Sequence, residues 1–243
     1  MMLGLFGYPV AHSCSPRLFA RLSRALRRPI RYEAVAVRPG DLRAAVAVAR
    51  DAGWRGANVT VPLKEEAAAL ADTLTPNARQ MGAVNVLRFG RTVVGDNTDA
   101  QGLREAMRDA GVKARGRGVL VFGAGGAARA AGWALAKDGA RSVRFTARTA
   151  SRAKKTAKDL GRIFPRTRFS AGTCVPADIW VNATPLGMKG VADRSPAPKT
   201  LASPTVAVDL VYGRRTAFQR DAAARGARVE SGAGMLEIGR AHV

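Results

Sequence analysis

The sequence predicts an α/β protein of two domains, each built around a mainly parallel sheet. Three observations carry this. Short apolar runs alternate with longer helical patterns from one end of the chain to the other, as βαβ units require. A length of 243 residues with 47% hydrophobic content can bury a full core and suits two small domains. After the polar turn segment Gly111-Val-Lys-Ala-Arg-Gly-Arg-Gly118 a second strand-and-helix series begins.

In the first series Leu3-Gly-Leu-Phe reads as a strand, Pro16 to Arg28 as a helix, Tyr32 to Val37 as a strand, Leu42 to Ala52 as a helix and Ala57 to Val61 as a strand. In the second, Val119-Leu-Val-Phe, Ser142-Val-Arg-Phe-Thr, Ile179-Trp-Val-Asn and Val206-Ala-Val-Asp-Leu read as strands, with a helix from Ala127 to Asp138 between the first two. A helix near Gln101 to Ala110 is expected to span the junction. The expected division is 1–101 for the first domain and 102–236 for the second, with 237–243 as a tail outside both.

No apolar run approaches the ~20 residues a membrane helix needs. The N-terminal segment lacks a charged leader and cleavage site. A soluble, cytoplasmic protein is expected. Cys14 and Cys174, with His12 and His242, are too few for a disulfide scaffold or a zinc site, so no metal is expected. The net charge of +22 arises from 40 basic against 18 acidic residues, concentrated in the second half. The arginines are scattered through apparent helices with few aromatic residues to stack on bases, which argues against nucleic acid as a partner and for solvated helix faces. A polyanionic cofactor or small acidic substrate needs only a few of these charges, well placed.

Gly123-Ala124-Gly125-Gly126-Ala127-Ala128 follows the apolar strand 119–122 and leads into a helix, a G-x-G-x-x-A arrangement in its required context. Gly123 permits the tight turn, Gly125 lets the backbone approach phosphate oxygens, and Ala128 lets helix and strand pack closely. The segment therefore predicts a Rossmann-like domain that binds a dinucleotide. An NAD site carries an acid at the end of the following strand, ~20 residues on. Here Phe145-Thr-Ala-Arg-Thr149 contains none, and Arg148, with Thr149 and then Arg152, stands where a guanidinium would clamp a 2′-phosphate. NADP is favoured over NAD.

Four polar clusters in the first half are hard to explain as packing. Gly7-Tyr-Pro-Val-Ala-His-Ser-Cys-Ser-Pro16 places Ser13 and Ser15 just before a helix that Pro16 would open; helix capping accounts for one serine well and for two less well. Gly56-Ala-Asn-Val-Thr-Val-Pro-Leu-Lys64 ends a strand with Asn58, Thr60 and Lys64. Ala83-Val-Asn85-Val reads as an apolar strand with an amide inside it, and Asp96-Asn-Thr-Asp99 is the fourth cluster.

Together with the glycine loop these clusters resemble the shikimate dehydrogenases, which reduce 3-dehydroshikimate to shikimate with NADPH on the route to chorismate and the aromatic amino acids. The resemblance runs from Gly7 to about Leu236. It adds Gly82-Ala-Val-Asn, Asn97-Thr-Asp-Ala-Gln-Gly102, Asn182-Ala-Thr-Pro-Leu-Gly-Met188, Asp209-Leu-Val-Tyr212 and Gly234-Met-Leu236 to the markers above. It implies that Ser13, Ser15, Thr60 and Tyr212 receive the substrate carboxylate, that Asn85 and Asp99 bind ring hydroxyls, and that Lys64 is the catalytic acid/base with Asp99 beside it. It also places Thr184, Met188 and Gly234 around the cofactor. Ketone reduction independently requires a proton at the oxygen where negative charge develops, and Lys64 supplies both proton and positive charge. His12 is expected to organise its loop by hydrogen bonding, and Cys14 to be a bystander.

The resemblance fails at the end of the chain. Gly239 stands where the family has a substrate-contacting glutamine, and Glu237-Ile-Gly-Arg-Ala-His-Val243 is one translation of a common short-read sequencing adapter, GAG ATC GGA AGA GCA CAC GTC. Residues 237–243 are expected to be non-native on a C-terminally truncated frame, leaving a chain of low activity. Two other readings stand beside the main one: a quinate/shikimate dehydrogenase of related specificity, and a catalytically weak dinucleotide-binding protein. The chain is expected to be a monomer or homodimer.

Overall fold

The computed structural model describes residues 1–11 and 13–235. His12, Leu236 and the 237–243 tail lie outside them, as does Gly239. The chain divides into two compact units, the first Met1–Asn97 and the second running from Thr98.

The first unit holds six strands, β1 (Met2–Gly7), β2 (Arg31–Ala36), β3 (Gly56–Val59), β4 (Thr73–Leu74), β5 (Val86–Phe89) and β6 (Val93–Asp96), in the order β2-β1-β3-β5-β6-β4. β1 runs parallel to β2 (Leu3 opposite Tyr32) and to β3 (Phe6 opposite Val59). β5 is antiparallel to both β3 and β6, and β4 is parallel to β6. The helices are α1 (Ser15–Ala25), α2 (Leu42–Asp51), α3 (Lys64–Leu70) and α4 (Pro76–Met81). Leu42, Val46 and Ala49, spaced four and three apart, form the buried stripe of α2. They join a core with Phe6, Val59 and Leu63, in which Phe6 and Trp54 stack at 5.7 Å. Thr75 caps α4 by accepting from Ala78 N–H, and Gly82, left-handed at φ 60°, ends it.

The second unit is an all-parallel sheet of β7 (Gly118–Phe122), β8 (Ser142–Thr146), β9 (Arg168–Ala171), β10 (Ile179–Asn182), β11 (Val206–Asp209) and β12 (Arg228–Ser231), ordered β12-β11-β10-β7-β8-β9. Its helices are α5 (Asp99–Asp109), α6 (Gly126–Lys137), α7 (Ala150–Ile163) and α8 (Ala217–Ala224). Every residue of β7 and β10 is buried, as central strands of a doubly wound sheet must be. Phe122 meets Trp180 and Phe218 edge-on in the core, with ring centres 5.9 Å and 5.8 Å away.

Two expectations shift. Asn85 is not inside a strand: β5 starts at Val86, while the Asn85 carbonyl accepts from Val59 N–H at 2.8 Å and its amide donates to Asp96 O at 3.0 Å, so pairing frays there into a loop. Helix α1 opens at Ser15 rather than Pro16, which puts Cys14 at the N-cap. No helix among the described residues is long and apolar enough to cross a membrane.

Candidate active site

In the first unit the chain leaves β1 for β2 on one side and later returns to β3 on the other, so the strand order reverses between β1 and β3. At such a reversal the loops beyond the carboxyl ends diverge and leave a crevice. The two loops here are Gly7 to Cys14 and Thr60 to Leu63. They are laced together: Tyr8 N–H donates to Val61 O at 2.9 Å and Thr60 N–H to Phe6 O at 2.9 Å. The peptide bonds Tyr8-Pro9 and Val61-Pro62 are both cis.

Ser13 and Ser15 part company here. The Ser13 hydroxyl accepts from Ser15 N–H at 3.2 Å and so serves the helix start. Ser15 Oγ is fully buried with no hydrogen-bond partner among the described residues, so capping does not explain it. Half-buried Lys64 opens α3, and its carbonyl accepts from Val84 N–H at 2.8 Å, fastening α3 to the segment that carries Asn85. Because β5 runs antiparallel to β3, Asn85 at its start reaches the same edge as the carboxyl end of β3. Asn85 is 3% exposed, and Asn58 beside it accepts from the Tyr32 hydroxyl at 2.7 Å and donates to Asn85 O at 3.4 Å. One sheet edge thus gathers Ser13, Ser15, Thr60, Lys64 and Asn85. Asp99 and Tyr212 belong to the second unit: Asp99 is buried at the start of α5, and Tyr212 is half-buried just past β11.

The second sheet reverses between β7 and β10. Gly123, at the end of β7, has φ +117°, and a Cβ there would meet Ala183 O at 2.8 Å, so glycine is required twice over. Gly125, the N-cap of α6, has φ −87°, a backbone open to any residue, and its amide donates to no described residue. Gly126 and Ala127 open a 12-residue helix with no capping side chain and no acid in its first turn. Those uncapped amides fit a pyrophosphate. Helix α7, 14 residues long, has Thr149 at its N-cap with no side-chain cap bond, and again no first-turn acid. Arg148, Thr149 and Arg152 are all exposed there, so a 2′-phosphate would meet two guanidinium groups and a helix N-terminus. Thr184 and Met188 lie in the loop after β10. Gly234 rests against α5, where a Cβ would come 3.3 Å from that of Ala106.

Sequence reasoning missed the device that shapes the loops after β10 and β11. Asp209, fully buried, accepts from Asn182 Nδ2 at 2.9 Å, Val211 N–H at 3.1 Å and the Thr216 hydroxyl at 2.5 Å. Asn182 Oδ1 in turn accepts from the Thr184 amide at 3.1 Å and its hydroxyl at 2.6 Å. Burial pushes the Asp209 carboxyl above its ordinary range, and the hydrogen bonds from Thr216, Val211 and Asn182 only partly offset it. The signal was present, since both residues stand in quoted motifs, but without a role attached.

A family profile described as the shikimate dehydrogenase substrate binding domain matches residues 5–87. The NADP(+) shikimate dehydrogenase of Rubrobacter xylanophilus is 42% identical over 97% of this chain and 86% of its own length. The chain belongs to the shikimate dehydrogenase family. Among solved structures, the shikimate dehydrogenase of Thermus thermophilus, in complex with NADP(H) and shikimate, superposes with a TM-score of 0.85 at 36% identity, covering 98% of this chain and 90% of that one. Shikimate dehydrogenase 1 from Peptoclostridium difficile gives 0.87 at 26% identity, covering 98% and 88%. The two-sheet fold described above is therefore that of a shikimate dehydrogenase.

Proposed function

We propose that this chain reduces 3-dehydroshikimate to shikimate with NADPH, and that the residues gathered at the two sheet edges divide the work. The observation that carries the substrate reading is the Ser15 hydroxyl, buried next to Ser13 and without a partner among the described residues, where a carboxylate would supply the missing acceptor, with Thr60 at the same sheet edge. Tyr212 completes that set.

Lys64 holds a proton for the ketone oxygen and places positive charge where alkoxide character develops, so the oxygen takes that proton and remains on the ring carbon as a hydroxyl. Asn85 and Asp99 bind ring hydroxyls. Bound NADPH supplies the hydride to the carbonyl carbon. The glycine loop 123–127 and the start of α6 hold the pyrophosphate, Arg148, Thr149 and Arg152 hold the 2′-phosphate, and Thr184, Met188 and Gly234 line the nicotinamide end. In reverse, Lys64 takes the hydroxyl proton as hydride leaves.

A steady-state comparison of shikimate and quinate oxidation with NADP and NAD tests this. The expected result is turnover with shikimate and NADP that exceeds the other three pairs and is lost in Lys64→Ala. Faster quinate turnover, or preference for NAD, overturns it.

A further inference from the structure

The dinucleotide loop is tied from behind to α7. The Thr156 hydroxyl, 1% exposed, donates to the carbonyl oxygen of Ala124 at 3.2 Å. The same hydroxyl accepts from Arg129 Nη1 at 3.2 Å. Arg129 is 6% exposed, and its Nη2 donates to Asp159 Oδ2 at 2.8 Å. A guanidinium has donors and no acceptor, so the hydroxyl must take the Arg129 hydrogen bond on its lone pair and direct its only proton to Ala124. Asp159 fixes Arg129 in turn. Burial acting alone would raise its carboxyl, but hydrogen bonds and charge from Lys155 and Arg129 outweigh this and hold it below the ordinary carboxylate value.

The consequence lies on the other side of the peptide. In a trans peptide the C=O and N–H point in opposite directions, so fixing the Ala124 carbonyl toward α7 fixes the Gly125 N–H away from it. That amide donates to no described residue. It is the second glycine of the G-x-G turn, whose backbone angles did not call for glycine. On the dinucleotide reading above, we infer that Thr156 is a positioning residue for cofactor binding: it aims the Gly125 amide at the pyrophosphate, with Arg129 and Asp159 setting its hydroxyl. The same helix carries Arg152 in its first turn, behind Thr149 and Arg148, so α7 addresses the pyrophosphate and the 2′-phosphate of NADP through separate residues.

The test measures binding as well as turnover. Dissociation constants for NADPH and for adenosine 2′-monophosphate, which lacks the pyrophosphate, are taken by calorimetry on the wild-type chain and on Thr156→Val, Thr156→Ser and Asp159→Asn. Thr156→Val keeps the shape and removes the donor; NADPH binding weakens by about 5- to 10-fold, the range of one buried hydrogen bond. Adenosine 2′-monophosphate binds as before. The KM for NADP rises in parallel while the KM for shikimate is unchanged, Thr156→Ser restores NADPH binding to within about twofold, and Asp159→Asn weakens it in the same direction. Unchanged NADPH binding in Thr156→Val overturns the inference, as do equal losses for both ligands. If Thr156→Val does not fold, Asp159→Asn decides in the same way. Failure of the wild-type chain to bind NADPH at all overturns the dinucleotide assignment and the inference with it.

Discussion

Asn182 and Asp209 lie side by side on neighbouring parallel strands, the amide Nδ2 donating to the carboxylate Oδ1 at 2.9 Å. One buried acid thereby sets the course of two loops, because Asn182 also holds Thr184 and Asp209 also holds Val211 and Thr216. Asp209→Ala withdraws the acceptor from three buried donors at about 1–3 kcal/mol each, so a loss exceeding about 3 kcal/mol in chemical denaturation is expected. Asp209→Asn keeps one acceptor oxygen and loses less. The sign with pH follows from the raised carboxyl. The folded protein holds this proton more tightly than the unfolded chain, so the stability of wild type relative to Asp209→Asn falls as pH rises from about 4. It levels off above the folded value. Denaturation midpoints across pH 4 to 8, in steps of about one unit, read this directly.

Ser15 offers a test in which stability and binding move apart. Its hydroxyl is buried and unpartnered among the described residues. Ser15→Ala removes an unsatisfied polar group and is expected to leave the melting temperature of the free protein unchanged or slightly higher. The KM for shikimate should rise by roughly tenfold, the loss of one hydrogen bond to a charged carboxylate. Ser13→Ala should weaken binding too but also lower the melting temperature, because Ser13 accepts from the Ser15 amide. An unchanged KM in Ser15→Ala would remove it from the carboxylate site.

The proposed function assigns Lys64 to the chemistry rather than to ground-state affinity. Lys64→Ala is expected to lower kcat by about 10²- to 10⁴-fold, the usual share of a positioned acid, while shikimate binding measured by calorimetry changes only a few-fold. A binding loss that matches the loss of turnover would make Lys64 a substrate anchor instead.

The proposed function has Arg148 read the cofactor. It is exposed at the start of α7, where no acid occupies the first turn. Arg148→Ala should raise the KM for NADP by about 10- to 100-fold, as loss of charge-assisted hydrogen bonds implies, and leave the KM for NAD where it was. The ratio of kcat/KM for the two cofactors is the readout. An equal effect on both would place Arg148 outside the 2′-phosphate site.

The strands legible in the sequence are those whose burial is written in one place. β1, β7 and β10 are nearly continuous apolar runs because parallel central strands are covered on both faces. β4, β9 and β12 escaped notice because edge strands are short and half exposed, and Arg168-Phe-Ser-Ala or Arg228-Val-Glu-Ser carries no such run. Asn85 was misplaced by a single residue, since β5 begins where Val86 pairs with Asn58 on one side and Asp96 on the other, residues outside its own local run.

Motif spacing and local periodicity were enough to establish an α/β chain, a strand-turn-helix glycine loop at Gly123 to Ala128, and the absence of an acid before Arg148. Each of these depends on residues within a turn or two of one another. Long-range pairing decided the rest. Only the adjacency of β1 and β3 sets Ser15 and Lys64 at one edge, and only the folded structure shows that the Ser13 hydroxyl has a partner where, among the described residues, that of Ser15 has none. The role of Thr156 is likewise invisible in sequence, because its partner Ala124 lies on a loop brought to it by packing of α7 beside α6. A hydroxyl acquires a function from the atom it faces, and that atom is chosen by the fold.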